Sequence, residues 1–183
     1  MNHMLAALFW CLTHSRPALT SRPIMQIPTA RGPAWRVVKT YGHEEGLSCA
    51  FRQWQAGHSH CRFLHGYALA FSFTFVAETL DERGWCLDFG GLKPLRAWLH
   101  DMFDHTMLVA ADDPERASLE GFAACGLAQI RVVEIVGCEA FARLAQEWAS
   151  AFLTAETGGR VVCERVEVSE HPGNAASFTA DPL

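Results

Sequence analysis

A chain of 183 residues, half of them hydrophobic, is long enough to bury a sizeable core as one domain. The net charge of −5 argues against a nucleic-acid-binding surface, which is normally basic. Seven cysteines, odd in number and irregularly spaced, argue against a secreted disulfide framework and point to a reducing, cytoplasmic compartment.

The first residues carry a short apolar run, MLAALFWCL (4–12). No Lys or Arg precedes it and no small-x-small cleavage site follows closely, as a secretion signal would require. It is too short to span a bilayer, so no membrane association is expected. The proline-spotted stretch behind it has no periodicity. Residues 1–34 are therefore expected to form a poorly ordered extension, with Met25 as an alternative start, and residues 35–183 a single domain.

From Trp35 the pattern becomes regular. WRVVKTY (35–41) and GLSCAF (46–51) predict strands flanking a turn-like GHEE. After a loop over Gly57–Arg62 comes FLHGYALAFSFTFVAE, the clearest strand in the chain. Its odd positions from Phe63 to Phe75 read Phe, His, Tyr, Leu, Phe, Phe, Phe, whereas its even positions are mostly small. A period of two sends His65 and Tyr67 to the bulky, mostly apolar face. LDERG reads as a turn and WCLDFG (85–90) as a short extended stretch.

A helix is predicted from about Leu92, where Leu92, Leu95, Leu99, Met102 and Phe103 recur at helical spacing, to the start of DHT. DPERASLEGFAACG predicts a second, short helix with Asp113 as N-cap, Pro114 at its first position and Gly126 closing it. IRVVEIV is a strand or an extended connection. CEAFARLAQEWASAFL predicts an amphipathic helix that buries Phe141, Leu144, Ala145, Trp148 and Phe152. RVVCERVEVSE predicts a strand with Val162, Val166, Val168 and Glu170 on one face. Strands, helices and then a strand, without regular alternation, predict an α+β fold, an antiparallel sheet with helices on one face.

Few residues carry chemistry. GHSHCRFLHGY (57–67) holds His58, His60, Cys61 and His65, which read equally as a metal site, a catalytic cysteine with attendant histidines, or a polar loop entering a strand. Cys61 is either a reactive thiol or a small half-buried hydrophobe. Asp104 and His105 leave the first helix, where a protonated His is favoured by the macrodipole even without a catalytic role. Glu170, in phase with three valines, aims a carboxylate at apolar surroundings and needs a partner there; a ligand with N–H donors is one.

Together these residues resemble the 6-pyruvoyl-tetrahydropterin synthase / 6-carboxytetrahydropterin synthase family over about residues 35–178. CRFLHGY is similar to that family's Cys-x-x-x-His-Gly-His, WCLDFGGLK to hydrophobic-Asp-Phe-Gly-x-Leu-Lys, FDHTML to Leu-Asp-His-x-x-Leu, and VEVSEH to Val-x-Val-x-Glu-Thr. The resemblance implies a T-fold that assembles into a homo-oligomeric barrel with active sites between subunits. It implies a lyase converting 7,8-dihydroneopterin triphosphate to 6-carboxytetrahydropterin, with loss of acetaldehyde and triphosphate, on a route to 7-deazaguanines such as queuosine. Cys61 would transfer the proton, with Asp104 and His105 completing a triad that tunes its thiol. Glu170 would anchor the pterin through ring N–H and amino donors. Glu139, in GCEAFA, is the residue that carries over from the family's Pro-Thr-x-Glu-Asn as a substrate contact.

The family also holds a catalytic zinc on three histidines, and here the pattern departs. The first ligand position is Phe51 and the last is Tyr67, leaving only His65. His58 and His60 lie just ahead on the loop, and three imidazoles with an open position would make a zinc site. His65, His58 and His60 are thus the expected ligands of a relocated zinc. The alternatives are that these histidines bind the substrate's phosphates or line the cleft, and that the chain is a metal-free T-fold protein binding a pterin or purine without turnover.

Overall fold

The computed structural model describes residues 33–180. The expected N-terminal extension and the alternative start at Met25 fall outside that range, except for residues 33 and 34. Ten elements follow in chain order: β1 (Trp35–Tyr41), β2 (Leu47–Phe51), β3 (His65–Ala77), α1 (Lys93–Phe103), β4 (Thr106–Ala110), α2 (Arg116–Ala124), β5 (Gln129–Val133), α3 (Cys138–Thr157), β6 (Val161–His171) and β7 (Asn174–Thr179). Among the described residues the seven strands form one sheet in the order β5-β4-β2-β3-β6-β7, with β1 also paired to β3.

The architecture is α+β, as expected, and β3 is its spine. β2 pairs with the first half of β3 and β1 with the second, both antiparallel, while β6 runs antiparallel along its other side. The expected all-antiparallel sheet needs one correction: β4 is parallel to β2, and β5 is parallel to β4. α2 connects β4 to β5, and a helical crossover returns the chain in the same direction where a hairpin would reverse it.

The bulky face of β3 makes the core. Phe71, Phe73 and Phe75 are fully buried. Phe103 of α1 packs on Phe71 at 4.8 Å between ring centroids, and Phe141 of α3 meets Phe51 at 5.2 Å and Phe103 at 5.4 Å. Both helices therefore cover the same face of the sheet. α3 buries Cys138, Phe141, Ala142, Ala145, Ala149 and Leu153, a stripe rotated from the expected one. Its three alanines let the helix close onto β6, and Leu144, Trp148 and Phe152 move to the flank, where Trp148 stacks on Trp98 at 5.0 Å.

Three further expectations are modified by local chemistry. A bulge in β6 sets Arg165 opposite Thr74 but Cys163 opposite Phe75, so Cys163 and not Val162 joins Val166 and Val168 in the core. The extended reading of WCLDFG gives way at its end to a 3-10 turn over Phe89–Leu92, because the Asp88 carboxylate accepts the Gly90 N–H. Asp113 does not cap α2, which starts at Arg116 behind Glu115. Its carboxylate accepts the Glu115 N–H at 2.8 Å just ahead of the helix and also binds Arg52, at 2.6 and 2.8 Å. Gly126 closes the α2 region in the left-handed conformation, as expected.

Candidate functional site

The β2–β3 hairpin builds the first half of the site. Phe51 stands opposite His65, and Cys49 opposite Tyr67. Alternation along β3 puts His65 and Tyr67 on the same face, and the three rings of Phe51, His65 and Tyr67 form one group with centroids 5.3–6.3 Å apart. Phe51 is only 1% exposed and is backed by Phe141. His65 Nδ1 lies 2.7 Å from the Phe63 carbonyl, which can only accept, so Nδ1 carries a proton and in the neutral ring Nε2 is the acceptor.

The loop between these strands is pinned at its neck. The Gln53 N–H donates to the Cys61 carbonyl at 2.8 Å, and the Cys61 N–H donates to Ser59 Oγ at 3.1 Å. Arg52 holds the same loop to Asp113, while Trp54 Nε1 and Gln55 Nε2 donate to Asp112. Cys61 sits half-buried in a 3-10 turn over His60–Arg62. His58 and His60 are exposed on this loop, and the His60 ring turns toward Phe63 at 6.3 Å. The structure does not gather His58, His60 and His65: among the described residues no three His, Cys, Asp or Glu side chains are placed to hold a metal ion.

The second half comes from β6 and the start of α3. The negative charge of Glu170 reaches both Tyr67 and Cys138. Burial raises the Tyr67 phenol above its ordinary value, with the charges of Glu170, Cys61 and Cys138 adding to the effect. Burial, reinforced by Glu170 and Glu139, pushes the Cys138 thiol up to about 12, so it stays protonated at neutral pH. Tyr67 thus has Glu170, Cys138 and Cys61 around it, and Glu170 also faces Cys138. Glu139 is exposed in the first turn of α3, where the helix dipole favours a carboxylate. Gly137 precedes it at φ 125°, and a Cβ there would come within 2.8 Å of Gln53 Nε2, so the helix starts on glycine.

Asp104 and His105 make a separate group. His105 adopts φ 55°, rare for a residue with a side chain, and its ring is 84% exposed. Its Nδ1 contacts Asp104 Oδ1 at 2.5 Å, while the other carboxylate oxygen is 3.1 Å from His100 Nδ1. These bonds, His100 first and His105 second, hold the Asp104 carboxyl below the usual range. His100 also reaches Glu45, which Arg96 binds at 2.8 Å. The His105 N–H donates to the Ser48 carbonyl, whereas Cys61 lies beyond the Phe51 end of β2. Ser48 to Phe51 alone spans roughly 10 Å of strand. No hydrogen bond joins Cys61 to His105 among the described residues, so one chain holds the expected triad as two halves. His100 was not among the expected site residues; its position one helical turn before Asp104 is the signal that marks it.

Zinc, which the resemblance implies, does not fit these donors. Phe51 has no donor atom, and Tyr67 must shed a proton at a cost of about 4 kcal/mol at pH 7 from its ordinary value alone. Burial and Glu170 increase that cost.

The family description "6-pyruvoyl tetrahydropterin synthase" matches residues 41–181. A 6-carboxy-5,6,7,8-tetrahydropterin synthase of Rickettsia bellii is 32% identical over 77 residues, covering 38% of this chain and 56% of that protein. The matched stretch thus spans little more than half the length of that relative. Among solved structures, an uncharacterised protein of Wolinella succinogenes superposes with a TM-score of 0.69 at 18% identity, over 82% of this chain and all of the other. The 6-pyruvoyltetrahydropterin synthase of Plasmodium vivax superposes with a TM-score of 0.58 at 15% identity, over 80% and 98%. These two show that the fold is shared.

Proposed function

The chain belongs to the 6-pyruvoyl tetrahydropterin synthase family, and from that premise we propose a 6-carboxytetrahydropterin synthase-like lyase that acts on 7,8-dihydroneopterin triphosphate in 7-deazaguanine biosynthesis. The observation that carries this reading is that Tyr67 has Glu170, Cys138 and Cys61, each from a separate element, close enough to act on its phenol, with the half-buried Glu170 carboxylate also beside Cys138. A carboxylate in that position accepts two N–H donors from a pterin edge. Glu170 anchors the ring, Glu139 lines the entrance, and Cys61 carries the proton at the side-chain carbon. Residues 35–183 act as one T-fold domain.

The exposure of His105 supports a site completed between copies, in which the Asp104–His105 pair of one subunit faces Cys61 of the next. The even face of β3, with Gly66, Ala68, Ala70 and Ser72, is small enough for close apposition in a homo-oligomeric barrel. The described cysteines are all free thiols, in keeping with a cytoplasmic protein, and no described helix is long and apolar enough to cross a membrane. The substitutions Phe51 and Tyr67 favour a second reading, a pterin- or purine-binding T-fold protein without turnover.

Calorimetric titration with neopterin tests the anchor. Glu170→Gln keeps the shape but removes the charge. Losing one charged hydrogen bond costs roughly 1.5–3 kcal/mol, about one to two decades in Kd. A weakening of that size with an unchanged melting temperature is the expected result. An unchanged Kd moves the ligand site elsewhere.

A further inference from the structure

We infer that this chain works without zinc, the place of the metal being taken by the Phe51–His65–Tyr67 ring group, which offers a ligand oxygen one donor, the Tyr67 hydroxyl, and one acceptor, His65 Nε2. The inference rests on the family assignment and not on the choice of substrate. Strand pairing fixes the positions: Phe51 and His65 are direct partners, and Tyr67 follows two residues on, on the same face. The three positions converge as a metal-binding trio would, with centroids within 6.3 Å, yet only one of them is an imidazole.

Neither neighbour can be exchanged for a ligand by a small movement. Phe51 is packed edge-on against Phe141 at 5.2 Å and cannot leave without opening the core. His58 and His60 belong to a loop tied down through Gln53, Arg52, Trp54 and Gln55, which leaves both rings in solvent. His65 itself retains the arrangement of a ligand histidine, with Nδ1–H held by a backbone carbonyl and Nε2 presented. A single imidazole with no companions does not retain zinc. Among the described residues neither Nε2 of His65 nor the Tyr67 hydroxyl has a hydrogen-bond partner, so both remain available to a substrate hydroxyl or carbonyl. Recognition by a neutral donor and acceptor replaces polarisation by a cation.

The test is elemental analysis of the untagged, full-length protein after growth in zinc-supplemented medium and gel filtration. Wild type is expected to carry far less than one zinc per chain. The double variant Phe51→His, Tyr67→His restores three imidazoles with an open position and is expected to gain about one zinc per chain. About one zinc retained by wild type overturns the inference, whether or not the variant folds. A double variant that is folded by circular dichroism yet empty overturns the assignment of these positions. Neopterin binding, measured in parallel both in EDTA and with zinc supplied, reports on the pterin reading separately: absence under both conditions counts against the pterin and leaves the zinc result standing.

Discussion

Cys61→Ala is expected to lower turnover of 7,8-dihydroneopterin triphosphate by about 10²–10⁴-fold, the usual contribution of a positioned proton-transfer group. The fold is expected to survive, because the turn around Cys61 is held by main-chain bonds: its carbonyl receives the Gln53 N–H and its N–H goes to Ser59 Oγ. Neither bond uses the thiol. The other half of the expected triad, Asp104 with His105, lies on the far side of β2 in the same chain. His105→Ala should therefore produce a comparable loss, and mixing it with Cys61→Ala subunits should restore activity in hybrid oligomers that pair an intact thiol with an intact Asp–His pair. Product formation by Cys61→Ala at the wild-type rate contradicts the assignment. Neopterin binding without product formation by wild type selects the reading of a binding protein.

Phe103→Ala is expected to cost about 3–5 kcal/mol of stability, a large share of the roughly 5–15 kcal/mol that holds a domain of this size. Phe103 is fully buried at the last residue of α1 and contacts Phe71 of β3, Phe141 of α3 and Trp98. Its ring joins the spine strand to both covering helices, and removing it opens a cavity that three rigid elements cannot refill. Phe63 provides the contrast. It is 55% exposed beside His60 and Arg62, and Phe63→Ala is expected to cost less than about 1 kcal/mol. Urea unfolding followed by fluorescence measures both. Equal midpoints for the two variants would remove Phe103 from the centre of the core.

Much of this architecture is legible in the chain because β1, β2, β3, α1, α3 and β6 each carry a strong period of two or 3.6. β4 is not legible: in TMLVA a Thr is followed by only four continuous apolar residues, equally suited to the end of a helix. β7 reads NAASFT, too small and polar to mark a strand until β6 pairs with it. Strand direction is not a local property, so the parallel placement of β4 and β5 appears only with the crossover through α2. The bulge in β6 illustrates the same limit, since one unpaired residue exchanges Val162 for Cys163 in the core.

For the site, Cys61, His65 and Glu170 stand out as residue types at recognisable spacing, and the structure adds what surrounds them. The protonated Cys138 beside Glu170 depends on the approach of α3 to β6, which no spacing reveals. The grouping of His58 and His60 with His65 fails for a related reason. Sequence proximity suggests a cluster, but the loop closes through Gln53 and Cys61 and points its histidines into solvent.

The most direct test of a metal-free pterin site is calorimetric titration of EDTA-treated, full-length wild type with 7,8-dihydroneopterin triphosphate. Saturable binding at about one ligand per chain, unchanged by added zinc, is the predicted result. Absence of binding in EDTA, with affinity appearing only when zinc is supplied, would contradict it.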